Sequence, residues 1–211
     1  MPKIYFYKLT VDDGGAPCIE DGLLSLAICK PMIRSTAEKE NIVLGFAAKS
    51  LHADNRLIYV ARVNEKVENG DYYRLSKYEG RGDCIYEWRQ GSFAQRPGAR
   101  YHGSPNDLVH DLGAHPNYRR ANTLVSWEFC YFGASGSDAY KQRFPTVANA
   151  VARLGRGHRV HHDAQLLAEL EQLASWQCPM NAASVLGQPT SKPRRGVSHR
   201  GGGCGVAKRQ C

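Results

Sequence analysis

The stretch Leu23-Leu24-Ser25-Leu26-Ala27-Ile28-Cys29-Lys30-Pro31-Met32-Ile33-Arg34 is where the reading of this chain turns. An apolar run able to sit in a core ends abruptly, and Lys30 and Arg34 follow within five residues. Pro31 between them lacks a backbone donor and has a fixed φ, so neither a helix nor a sheet ladder is expected to run through it. Both cations are therefore expected on a turn at the end of a rigid element, a common place for anion-binding groups. The alternative is a solvated strand end with two ordinary surface charges.

Working outward, Leu23–Cys29 reads as a strand or a short buried helix, and its periodicity does not decide between them. Residues 2–11 are rich in aromatic and β-branched side chains and read as a first strand, followed by an Asp/Gly/Pro loop. Ser35 with Glu38 three residues on has the capping-box pattern for a short helix over Thr36–Glu40. Ile42–Ala48 and Leu57–Val63 read as a strand hairpin, and Cys84–Trp88 as another strand. Residues 89–120 read as a long functional loop containing His102, His110 and His115. Thr123–Phe132 gives the strongest strand signal, 138–154 a short helix, and His162–Gln177 an amphipathic helix with Asp163 as its N-cap. The expected fold is α+β: a mixed or antiparallel sheet, strongly curved or closed into a small barrel, with two or three flanking helices.

The totals bound the function classes. A chain of 211 residues can hold one sizeable core, expected here over residues 1–178. Residues 179–211 are rich in Gly, Pro and Ser and read as a disordered tail. That tail holds Lys192, Arg194, Arg195, Arg200, Lys208 and Arg209 with no acidic residue, so of the formal charge of +8 only +2 belongs to the body. Bulk charge is therefore a weak argument for nucleic-acid binding by the folded part. No apolar run approaches the length of a membrane span, and the start lacks a signal-peptide pattern, so a cytoplasmic protein is expected. The seven cysteines are odd in number and scattered without a Cys-x-x-Cys pair, which argues against a disulfide framework or zinc ribbon. Cys29, Cys84 and Cys130 are expected as buried free thiols.

Three constellations carry potential chemistry. Lys30, Arg34, Asp83 and Glu128 stand at element ends, where cations could hold phosphate and a carboxylate could read a base edge or act as acid or base. Tyr86 and Trp88, and likewise Trp127, Phe129 and Tyr131, share strand faces that would stack a nucleobase or fill a core, with Phe129 read as core. Gly155–Asp163 is dense in His and Arg but has no metal-ligand spacing, and reads as a solvated loop and cap. A cysteine nucleophile would have eight histidines to draw on, yet no local pattern pairs one thiol with one base.

The order of Ala27–Arg34, Ile42–Gly45, Leu57–Val63, Tyr72-Tyr73, Gly82–Tyr86, Val125–Gly133 and Gly155–Arg159 resembles the nucleotide modification associated domain 2 family over roughly residues 2–175. Glu40-Asn41 departs from the Gly-Asp turn expected before the third strand. The strand pattern is also similar to the small barrels of PUA- and EVE-type modified-base readers, an analogy of fold alone. The resemblance implies a role with modified nucleotides or DNA in bacteria or phages. The reading it favours is a domain that recognises a modified nucleobase or nucleotide. Lys30 and Arg34 would contact phosphate, Tyr86, Trp127 or Tyr131 would stack, and Asp83 would fix the base edge. An enzyme acting on a modified base, with Asp83 or Glu128 as acid or base, is the alternative; a protein-interaction module is the third. The cofactor is left open, and no metal ligand is expected.

Overall fold

The computed structural model describes residues 2–191. In chain order the strands are β1 (Ile4–Leu9), β2 (Cys18–Glu20), β3 (Leu23–Leu26), β4 (Ile42–Ala47), β5 (Leu57–Arg62), β6 (Glu65–Val67), β7 (Tyr86–Arg89), β8 (Ser92–Gln95), β9 (Thr123–Ser126), β10 (Glu128–Tyr131), β11 (His158–Arg159) and β12 (Ala183–Val185). The helices are α1 (Pro31–Thr36), α2 (Pro105–Leu112), α3 (Tyr140–Arg143), α4 (Pro145–Arg153) and α5 (Ala164–Gln177).

Side-chain alternation along β1 separates two cores. Ile4 and Phe6 face one, while Tyr5, Tyr7 and Leu9 face the other, as expected of a strand covered on both sides. β1 pairs in parallel with β4 inside a six-stranded mixed sheet of order β11-β1-β4-β5-β10-β12. Helices α3, α4 and α5 cover one face, packing Val147, Val151, Leu166, Leu170 and Leu173 on Phe6, Leu44, Phe46 and Val60. Burying each such side chain stabilises the fold by about 1.5–3 kcal/mol. A four-stranded antiparallel sheet, β2-β3-β9-β6, covers the other face through Leu24, Leu26 and Leu124. A third cluster, rich in Tyr72, Tyr73, Tyr86 and Phe93, lies under the β7-β8 hairpin and α2. Gly45 permits the close approach of β4 and β5, because a Cβ there would fall 2.2 Å from the Tyr59 ring.

The α+β expectation holds, but among the described residues both larger sheets are open and no small closed barrel forms. Thr123–Phe132 is not one strand. The amides of Trp127 and Glu128 both donate to Asn64 Oδ1, at 2.8 and 3.2 Å, and this bend passes the chain from β9 in one sheet to β10 in the other. No strand or helix runs through Pro31, as expected, but it opens α1 at its first position, where a fixed φ and a missing N–H are favourable, and so places Arg34 on a helix rather than on a turn. The helix thus occupies Pro31–Thr36 rather than Thr36–Glu40. Residues 89–120 contain β8 and α2, the latter capped reciprocally by Ser104 and Asp107. Cys130 is not a free thiol: it forms a disulfide with Cys178, the residue that caps α5. Past residue 178, β12 pairs with β10, and Thr190 and Ser191 bond to Asp12. The remaining part of the expected tail, 192–211, lies outside the described residues.

Candidate active site

β3 delivers Ala27 and Ile28, both fully buried, and the chain then turns sharply at Cys29 and Lys30 before α1 begins. These two residues have φ of 56° and 43°, left-handed values uncommon for side-chain-bearing residues. Such conformations cost about 1–3 kcal/mol each and persist only where neighbours over-determine them. Here they do. The Cys29 amide donates to Asp111 Oδ1 at 2.7 Å, the Cys29 carbonyl accepts from Arg34 Nε at 2.6 Å, and the Ala27 carbonyl accepts from Tyr73 OH at 2.6 Å.

The turn brings the half-buried Cys29 thiol to His102. Sγ lies 3.3 Å from Nε2, and the other ring nitrogen, Nδ1, lies 2.5 Å from Asp111 Oδ2. Asp111 comes from the last turn of α2, His102 from the loop before it at φ 51°. Gln95 in β8 holds that loop by donating to the carbonyls of Tyr101 and His102. Tyr86 OH, from β7, donates to Asp111 Oδ2 at 2.8 Å. Cys29, His102 and Asp111 therefore form a line of nucleophile, base and orienting carboxylate. Burial pushes the His102 imidazole pKa down, but its hydrogen bonds to Asp111 and Cys29 outweigh this and raise it to about 10. The thiol is thus within hydrogen-bonding reach of a histidine whose ring is held by a carboxylate, the arrangement of a cysteine with a neighbouring base.

The other free cysteines among the described residues, Cys18 and Cys84, have no such surroundings. Burial pushes the Cys18 thiol far up and that of Cys84 up to about 11. Cys29 instead borders a cavity of about 400 Å³. Lys30, Met32 and Ile33 line it from the turn and α1, Leu9 and Val11 from the end of β1, His110 from α2, and Arg156–His158 from the approach to β11. Among the described residues, no three His, Cys, Asp or Glu side chains are grouped to hold a metal ion.

The residues singled out from sequence are not assembled on one surface. Lys30 borders the cavity, with its ammonium 4.9 Å over the Tyr7 ring. Arg34 is fully buried and its guanidinium is used inside the protein. It donates to the carbonyls of Cys29, Arg120, Asn122 and Asp111, and lies 3.8 Å from the Asp111 carboxylate. Asp83 is also fully buried, accepting from Ser25 and Tyr72 at 2.6 and 2.7 Å, with Arg81 at 3.8 Å. Tyr131 is buried and donates to Asp12. Trp127 is 47% exposed at the corner between the two sheets, beside Glu128, which accepts from Asn64 at 2.9 Å and faces Arg62 at 3.6 Å. Tyr86 and Arg34 do reach the candidate site, but through Asp111 and not through a ligand surface. Cys29, His102 and Asp111 were missed because no local spacing links them. The available signals were a cysteine at a strand-to-proline junction and a histidine nine residues before an aspartate.

In comparison with known proteins, a family model described as nucleotide modification associated domain 2 matches residues 1–194. No curated protein and no solved structure gives a significant match.

Proposed function

The chain belongs to the nucleotide modification associated domain 2 family, and on that premise we propose that it is a cysteine-dependent acyl-transfer enzyme. Its substrate would be a nucleotide or nucleic acid carrying an amide- or ester-linked group. The observation that carries this reading is the Cys29–His102–Asp111 line, whose Cys29 end borders a cavity. The family name supplies the link to nucleotide modification, and the geometry favours the enzyme reading over a base-reading domain. A reader needs cations, a stacking ring and a base-edge carboxylate to converge, and Arg34, Asp83 and Tyr131 instead have internal partners.

In this mechanism the Cys29 thiolate attacks the substrate carbonyl carbon, forming a C–S bond and placing the electron pair on oxygen. Collapse of that adduct breaks the C–N or C–O bond, and the His102 Nε2 proton passes to the departing amine or alcohol. Neutral His102 then takes a proton from water, whose oxygen attacks the thioester. The C–S bond breaks, releasing the carboxylic acid and restoring the thiolate and imidazolium. Asp111 holds the ring orientation throughout.

Intact-mass spectrometry of the full chain with nucleosides and nucleotides bearing acylated base amines tests the reading. The expected result is a mass increase equal to the acyl group, mapped to Cys29 and absent in Cys29→Ala. Turnover that survives Cys29→Ala would overturn it, as would the absence of adduct and turnover across the panel.

A further inference from the structure

The lining of the cavity beside Cys29 is mixed. Leu9, Val11 and Met32 are apolar, Lys30 and Arg156 are cationic, Asp13 is acidic, and burial lowers the pKa of His158. Among the described residues, neither Lys30 nor Arg156 is in a salt bridge. The Lys30 ammonium lies 4.9 Å over the Tyr7 ring, close enough to Cys29 to interact with it, and an anion entering the cavity would add a charge partner. Gly157, between Arg156 and His158 on this lining, has φ 103°, where a side chain would be strained, and a Cβ there would meet nothing within 4 Å.

We propose that Lys30 and the Arg156-Gly157-His158 segment form a phosphate subsite in the same cavity as the Cys29 thiol, and that the substrate is a nucleoside phosphate. The apolar lining residues would take the sugar or base, leaving the acyl group at Cys29. This inference rests on the enzyme reading above. A cavity of about 400 Å³ has the size of a small-molecule site and suits one nucleotide, not a length of duplex. The phosphate could belong to a free nucleotide or to an extruded nucleotide of a strand, and the chemistry recognised is the same.

The test is calorimetric binding to the full chain carrying Cys29→Ala, which needs no turnover. Thymidine and deoxyadenosine are compared with their 5′-monophosphates and with a single-stranded dT oligonucleotide. The monophosphates should bind at least about tenfold more tightly than the nucleosides, and Arg156→Gln or Lys30→Gln should remove most of that advantage. Oligonucleotide binding that falls with Arg156→Gln also supports the subsite and identifies a strand as a source. Equal binding of nucleoside and monophosphate, or an advantage undiminished in Arg156→Gln, would overturn it. Acyl-adduct formation on unsubstituted Cys29 is scored separately. An adduct without phosphate preference defeats the subsite alone; phosphate preference without an adduct defeats the enzyme reading.

Discussion

Cys29 Sγ and His102 Nε2 lie 3.3 Å apart although 73 residues separate them in the chain. The contact joins the strand-to-helix turn after β3 to the loop before α2. Asp111 serves both sides, accepting the Cys29 amide on Oδ1 and His102 on Oδ2. One carboxylate therefore fixes the backbone that carries the nucleophile and the ring that activates it.

Replacing Cys29 should separate chemistry from folding. Cys29→Ala is expected to lower turnover by roughly 10³-fold or more, the usual scale for removing a covalent nucleophile. Its melting temperature should stay close to that of the parent, because the Cys29 side chain is only half-buried and its amide contact to Asp111 survives. Parallel calorimetry and kinetics check both halves.

His102 gives a signed pH dependence. Its folded-state pKa is raised to about 10, against about 6.5 when unfolded. The stabilisation from its protonated form is therefore complete below about pH 6.5 and is lost as pH rises through about 10. The difference in stability between the parent and His102→Gln should narrow over that window. Turnover, which needs the imidazolium proton for the departing group, should fall on the alkaline side near the same pH. Denaturant titrations and a rate profile across the window test this.

Arg34→Met should be severe without touching substrate. It leaves the Asp111 charge buried beside His102 and removes donors from four carbonyls. Breaking a buried charge pair costs about 3–5 kcal/mol, which for a domain of this size is a fall of roughly 6–20 °C in melting temperature. Calorimetry measures it directly.

Asp83→Asn should be a stability variant only. The substitution leaves buried Arg81 without its carboxylate and disturbs the bonds to Ser25 and Tyr72. Melting should drop by several degrees while the alkylation rate of Cys29 in the folded protein is unchanged. A change in that rate would bring Asp83 back to the chemistry.

The Cys130–Cys178 bridge closes a separation of 48 residues. On the chain-entropy account, such a loop is worth about 4 kcal/mol. Cys178→Ser should lower the melting temperature and make it insensitive to reductant, whereas the parent should respond to reductant.

Much of the scaffold was legible. The alternation of Ile4–Leu9, the Ile42–Ala47 and Leu57–Arg62 strands and the Asp163 cap of α5 are local patterns, and local patterns are what a sequence displays. The break at Trp127 was not legible, because a side chain 63 positions earlier, Asn64, makes it. Arg34 belongs to a helix and not to a turn because proline stops a helix within its body but begins one at its first position. The site was hidden for a related reason. Cys29, His102 and Asp111 each look unremarkable in their own segments, and Arg34 looks like an exposed cation until its four carbonyl partners are known.

The account depends most on activation of Cys29 by His102, and site-resolved alkylation of the native full chain by iodoacetamide at about pH 6 tests it most directly. An ordinary thiol, with a pKa near 8.5, is almost entirely protonated there. The thiolate pair predicts modification of Cys29 about 30- to 100-fold faster than of a cysteine-containing model peptide, with the excess lost in His102→Gln. A Cys29 rate equal to that of the peptide and unchanged by His102→Gln would contradict it.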